Sequence, residues 1–293
     1  MKSNDKGYPE VWTYIVAAGK SADKLTCGVP FRVNNDHIFF GPCMKNYRKS
    51  LYEEYLKKEK VGRKDIEKDI YFLGMSGSKV KDAKKDEIRK ILWFGKLLSV
   101  FTFESMHIFI DSIEKKELKT DFEKMRALSD SPLHIQPIID NGMFKGYELR
   151  STYHTSKWFN DIAGDKSKLN IINEKTIQLK NFEDRWEIFD KDCCLLFENL
   201  FSAEGEGLEI DNEILNIFKE HPKLSSRSDT ITSRYFIYGK NMDSNSAIGL
   251  QGKGLKFKGA LSQKLLDYIL KKIQKTEKIT PASTEVHKLD ICK

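Results

Sequence analysis

No stretch of this 293-residue chain approaches the run of about 20 apolar residues that a membrane-crossing helix requires. The most apolar windows, 91–103 and 193–201, are short and carry Lys or Glu. The opening MKSNDKGYPE has no apolar centre of the kind a secretory leader needs, so a cytoplasmic protein without a membrane partner is expected. Five cysteines (Cys27, Cys43, Cys193, Cys194 and Cys292) form an odd set with no CxxC pair, and the six histidines are scattered. That pattern speaks against a disulfide framework and a zinc site, and it fits a reducing compartment. Also missing are a GxxxxGK[ST] phosphate loop, a GxGxxG turn after a strand, a GxSxG elbow and an HExxH helix. Hydrolytic and nucleotide-fuelled classes therefore lose weight, and neither a metal nor a cofactor is expected. There is no internal repeat, no low-complexity block and no Pro/Gly/Ser linker.

What is present is enough for a packed protein. Aromatics make up 11% of the chain, with 18 Phe and 11 Tyr, which excludes wholesale disorder. Fifty Lys and Arg against 43 Asp and Glu leave a net charge of +7, which permits a polyanionic partner without demanding one. A lysine-rich solvated surface is the competing reading. Length alone suits two average domains, but the absence of a linker favours one continuous domain over 11–273, with loose ends at 1–10 and 274–293.

Strands are expected where β-branched and aromatic residues cluster: 11–17 (VWTYIVA), 37–40 (HIFF), 69–75 (DIYFLGM), 91–103 around Gly95, 146–151 and 234–238 (RYFIY). The 91–103 run predicts a long strand or a hairpin with a bulge. Gly41-Pro42 opens a helix running from 43 to about 60, with Met44, Tyr47, Leu51 and Tyr55 at spacings of three and four. Helical patterns also cover 104–118, 192–201 (DCCLLFENLF), 212–220 and 261–273; the last has Leu265, Leu266, Ile269 and Ile273 on one face. The stretch 161–178 is polar and shows no clear period. Strands and helices do not alternate regularly, so the pattern predicts an α+β fold rather than a doubly wound parallel sheet.

Four segments carry residue types suited to chemistry. Segment 39–48 (FFGPCMKNYR) passes from strand into helix, and a helix start favours an anion. Lys45 and Arg48 add charge there, and Cys43 sits where a thiolate is stabilised, although an ordinary helix start with a small buried cysteine is the alternative. Segment 69–79 (DIYFLGMSGSK) ends a strand in small residues, and Gly74 and Ser76 let a ligand come close to the backbone. In STYHTSKW, His154 stands between aromatics that suit either base stacking or core packing. Segments 225–241 and 251–259 (QGKGLKFKG) interleave basic, aromatic and glycine residues, which suits a phosphate-bearing ligand or, more simply, a charged edge strand.

Taken in order, these pieces resemble the nucleotide-modification-associated domain of the second type, found in phages and bacteria near DNA-modification and defence genes. The resemblance rests on Tyr14-Ile15-Val16, Cys43 with Lys45 and Arg48, Gly74 and Ser76, Thr102-Phe103-Glu104, Tyr238-Gly239-Lys240-Asn241, and Gly252 and Gly254. The loop rich in Phe, Asn and Pro in that family is here LTCGVPFRVNND, and its Gly-Asp before the third strand is here Lys68-Asp69. The element order is also similar to PUA and EVE barrels, which bind RNA or modified bases. The resemblance implies a small bent mixed β-sheet or PUA/EVE-like barrel elaborated by helices. It implies a nucleotide or modified-base ligand, in a bacterial cell or phage-infected host, held by Tyr14, Cys43, Lys45, Arg48, Gly74, Ser76, Tyr238 and Lys240. An enzyme acting on a nucleotide or DNA base, with Cys43 or His154 as nucleophile or base, and an interaction subunit of a phage or defence complex are the two other readings. The ligand, the oligomeric state and the choice between binding and catalysis stay open at this stage.

Overall fold

The computed structural model describes residues 7–16, 31–41, 44–76, 90–127, 132–150, 158–203, 207–225, 254–276 and 287–288. The strands are β1 (Glu10–Val16), β2 (Phe31–Arg32), β3 (His37–Phe40), β4 (Arg63–Asp65), β5 (Ile70–Ser76), β6 (Lys90–Phe101), β7 (Ile135–Asp140), β8 (Met143–Leu149), β9 (Leu169–Asn173), β10 (Thr176–Leu179), β11 (Cys194–Ser202), β12 (Leu208–Glu209), β13 (Leu255–Phe257) and β14 (His287–Lys288). The helices are α1 (Lys45–Leu51), α2 (Phe103–Ser112), α3 (Lys116–Ala127), α4 (Arg185–Ile188), α5 (Asn212–Lys219), α6 (Pro222–Ser225) and α7 (Gly259–Thr276). Helix α1 runs on as a wider π-helical stretch, Tyr52–Lys57.

A ten-stranded mixed sheet has the order β13-β1-β5-β6-β11-β3-β2-β14, with β4 and β12 also pairing to β6. Within it β1 and β5 run parallel, and the other pairings are antiparallel. A second, antiparallel sheet has the order β7-β8-β10-β9. The fold is α+β. The large sheet is open, ending at β13 and β14 among the described residues, so it forms neither a small sheet nor a closed barrel.

The strand period of two explains the layering. Trp12 and Tyr14 of β1 and Phe72 of β5 face one way, onto Tyr47, Leu51, Tyr52 and Leu56 of the α1 stretch. Val11 and Leu73 face the other way, onto Ile214, Ile217 and Phe218 of α5 and Leu265, Leu266 and Ile269 of α7. A third cluster joins Phe39, Cys194 and Leu196 of the large sheet to α2, α3 and the small sheet through Phe103, Met106, Phe122, Phe144 and Tyr147. Burial on both faces makes β1 and β6 nearly continuous apolar runs rather than alternating ones.

Local signals place several boundaries. The Thr102 side chain accepts a hydrogen bond from Ser105 N at 3.1 Å and caps α2, so the Thr-Phe-Glu segment is a helix start. Asp211 caps α5 in the same way, at 3.1 Å from Ile214 N. β6 is one long strand; its partner β11 slips register between Asn199 and Phe201, opposite Gly95 and Phe94. The expected helix over 192–201 is instead β11, a central strand between β6 and β3. Its Leu195 and Phe197 enter one core and its Cys194 and Leu196 another, and two apolar faces on one strand imitate a helical stripe. The polar stretch 161–178 contains β9 and β10 up to Gln178, and the glycine- and lysine-rich segment 251–259 contains β13. The expected strand at 234–238 lies outside the described residues.

Candidate functional site at the carboxyl ends of the parallel strands

The register of the parallel pair sets Tyr14 beside Gly74 and Val16 beside Ser76, so β1 and β5 end side by side. In open sheets with parallel strands, the crevice beyond such ends is the usual ligand position. Helix α1 starts close by. Met44 precedes it with φ 58, and Lys45 and Asn46 are exposed in its first turn. Tyr47 reaches back to the sheet, its hydroxyl donating to Thr13 O at 2.8 Å. Gly254 and Leu255, at the start of β13, close the same corner. Leu255 N donates to Thr13 Oγ1 at 3.2 Å. Gly254 has φ +56, and a Cβ there would lie 1.9 Å from the Tyr47 hydroxyl and 2.1 Å from Thr13 O. Residues near 14, 47, 74 and 254, far apart in sequence, therefore meet at one corner of the sheet.

Behind this corner the space is filled by aromatic rings. Trp93 Nε1 donates to the Tyr14 hydroxyl at 2.7 Å, and Phe40 and Phe197 pack on the same indole. A Cβ on Gly74 would lie 2.1 Å from Trp93 Nε1. Gly74 thus makes room for an indole of this chain rather than for a ligand, and Tyr14 is 4% exposed, a packed wall rather than a stacking platform. Ser76 closes β5 opposite Val16.

Arg48 requires a correction. It is fully buried, and its guanidinium donates to the carbonyl oxygens of Asp161 at 2.5 Å, Cys193 at 3.1 Å and Lys191. Two of these oxygens, on Lys191 and Cys193, belong to the chain leading into β11, and the third closes the short helical turn Trp158–Asp161. Meeting a phosphate would strip three buried carbonyls of their donor, so Arg48 is a structural tie. Of the two cations expected at the helix start, Lys45 alone faces solvent. Cys43, His154, Tyr238 and Lys240 lie outside the described residues.

Two polar groupings escaped the sequence reading. The first surrounds Trp12. Glu10 accepts from Trp12 Nε1 at 2.7 Å and from Lys68 at 2.5 Å, and pairs with Lys258 at 3.1 Å. Burial alone would raise the Glu10 carboxyl; these bonds outweigh it and hold the group below its ordinary value. Lys256 Nζ stands 3.4 Å from the Trp12 ring centroid and 5.5 Å from that of Tyr47. Burial pulls its pKa down to about 8. The sequence signal for Lys256 was its place in QGKGLKFKG.

The second grouping ties the two sheets together. Asp192 Oδ1 accepts from Phe103 N at 2.9 Å and Oδ2 accepts from the Tyr147 hydroxyl. Burial pushes Asp192 up to about 6 even though Arg185 pulls it down. Arg185 pairs with Glu104 and lies 3.9 Å over the Phe144 ring. Its partners are all protein groups in the core, as expected of a fastening between layers.

Among the described residues no group of three His, Cys, Asp or Glu side chains is arranged to hold a metal ion, and no helix is long and apolar enough to cross a membrane. No family model, curated protein or solved structure matches the chain.

Proposed function

We propose that the protein binds a nucleotide or a modified base at the corner where β1 and β5 end, in the setting of nucleic-acid modification or phage defence. The observation that carries this reading is the meeting of Tyr47, Thr13 and Gly254, which brings the first turn of α1 and the start of β13 to the ends of two parallel strands. The resemblance to the nucleotide-modification-associated domain rests on the same stretches of chain. In this reading Lys45 supplies the phosphate contact in place of Arg48. An open mixed sheet covered by helices replaces the PUA/EVE-like barrel as the platform, and the binding corner is the rim of that sheet.

The test is calorimetric titration of the full chain with mononucleotides and with oligonucleotides bearing modified bases, at two salt concentrations. Binding that weakens with salt supports the reading, because phosphate contacts release counterions. A flat titration against every nucleotide and oligomer overturns it.

One observation favours the interaction-subunit reading as a second choice. Ile171 and Ile172 on the terminal strand β9 are about half exposed, as are Ile139 and Met143 on the β7–β8 hairpin. Sedimentation showing a concentration-independent monomer would remove a self-associating version of that reading.

A further inference from the structure

The sheet edges of this molecule are not guarded alike. An edge strand offers unpaired N–H and C=O groups to any other strand, and proteins usually cover or blunt it. On β7, Ile135 O accepts from His107 Nε2 at 3.1 Å, and Pro137 has no N–H to offer. On β13, Lys256 O accepts from His221 Nε2 at 3.1 Å. The terminal strand of the small sheet, β9, has no such guard among the described residues, and its run LNIIN contains neither Lys nor Pro.

The partner of β9 fixes which way its backbone points. Lys168 O accepts from Lys180 N at 3.1 Å, so the polar groups of Lys168 and Asn170 turn inward to β10. Strand alternation turns those of Ile171 to the open side. The ladder is regular from Leu169 to Ile171, opposite Leu179 to Ile177, and its shift follows, leaving Ile172 with no opposite residue. The Ile171 side chain lies on the face of Leu169 and Ile177, which are buried, yet it is 49% exposed because no described strand lies beyond it.

This edge is complementary to itself. With a second copy laid antiparallel about a two-fold axis at Ile171, each Ile171 exchanges two N–H···O=C bonds with its mate. Each Lys168 then stands opposite the second copy's Glu174, and unlike charges across a strand pair are favourable. The next two-fold registers that keep the same groups outward set Lys168 opposite Ile172 or Thr176 and lose that match. Lys168 also reaches Asp184 at 3.1 Å, and an ammonium with three donors serves both carboxylates.

We propose that β9 is a self-association edge, at which two copies of the chain pair antiparallel about Ile171 and join their small sheets into one. The proposal rests on the interaction reading above and names a second copy as the partner; it does not involve the corner of β1 and β5. A five-residue strip is small beside the roughly 1,200 Å² that a stable interface buries in total, so the dimer is weak and reversible.

The test is sedimentation equilibrium of the full chain without nucleotide, from about 10 μM to about 1 mM, the range in which a weak complex forms. A reversible monomer–dimer equilibrium is expected. Ile171→Lys, which sets like charges face to face on the axis, should abolish the dimer while the melting temperature stays close to the wild-type value. Glu174→Lys should weaken the dimer by about ten-fold, through two lost pairs and new repulsion, and adding Lys168→Glu should restore it. A dimer that persists in Ile171→Lys overturns the proposal and leaves self-association at another surface. A dimer that Glu174→Lys leaves unchanged, or that the double variant does not restore, overturns it as well. A monomer at every concentration also overturns it, and leaves this edge to a strand of a different protein. Because no nucleotide is present, none of these outcomes bears on the nucleotide titration.

Discussion

Tyr47 and Arg48 are neighbours on α1 that turn to opposite sides, and the two cations they lead to have different fates. On one side, Arg48 is buried among the carbonyls of Asp161, Lys191 and Cys193. On the other, Lys256 is half-buried on Trp12 and Tyr47, without an ion-pair partner among the described residues. A guanidinium with fixed acceptors is a fastening: removing it leaves those acceptors buried and unmet. An ammonium that rests on ring faces leaves no buried acceptor unmet when it is removed. The number of buried acceptors each cation serves, rather than its charge or its distance from a helix start, sets how much of the fold depends on it.

The largest expected effect breaks or confirms that contrast directly. Arg48→Met should lower unfolding stability by about 3 kcal/mol or more, the scale for removing a buried charged donor, whereas Lys256→Met should change it by no more than about 1 kcal/mol. Chemical denaturation of both variants reads the difference. Equal losses would show that the two cations are not distinct.

A second pair sharpens it with pH. Asp192 is pushed up to about 6 by burial and His107, donating from Nε2 to Ile135 O at 3.1 Å, is pulled down to about 4 by burial. For Asp192 the folded state holds its proton more tightly, so its stabilisation is complete below about 3.8 and is lost as pH rises through about 6. For His107 the sign is opposite: its stabilisation is complete above about 6.5 and is lost as pH falls through about 4. Shifts of this size are worth about 3 kcal/mol each, so the two contributions oppose each other between pH 4 and 6. Asp192→Asn should uncover a stability that climbs from pH 4 to 6.5, and His107→Gln one that declines. Melting curves taken across that range test this; parallel profiles for all three proteins would refute it.

Smaller effects belong to the ring-filled corner. Gly74→Ala forces a methyl group into the Trp93 indole and should cost about 1–3 kcal/mol, with a change in tryptophan fluorescence. An unchanged spectrum and stability would mean that the indole has room to move and that Gly74 borders usable space. Lys45→Ala should leave stability within about 0.5 kcal/mol, as for most exposed positions. It should weaken nucleotide binding by several-fold and lower the salt dependence by about one phosphate contact. Undiminished affinity would take Lys45 out of the binding corner.

Much of the local structure was legible. The strands at 37–40 and 69–75 and the amphipathic faces of α5 and α7 follow from patterns whose period matches the burial found. The failure at β11 has a specific reason. Asp192 opens the segment as an acidic helix start would, and Cys194 to Phe197 are buried on both faces, so the twofold alternation of a strand was hidden. The candidate corner was legible in its parts. Segments 39–48, 69–79 and 251–259 were each marked by residue type, and β1, Tyr47 and Gly254 do come together. The direction of each side chain was not legible: Lys45 and Arg48 are one helix turn apart and read alike as cations, yet one faces water and the other faces carbonyls.

Composition and hydrophobic period, taken alone, determined that this chain builds an α+β protein with a large aromatic core and a basic surface, because those properties depend on residues close in sequence. Only the tertiary structure decided that the sheet is open among the described residues, that Trp93 occupies the space beside Gly74, that Arg48 is a tie and that Lys256 lies on the ring of Trp12. Each of those outcomes depends on which distant atoms supply the acceptors and fill the voids, and no local spacing encodes that.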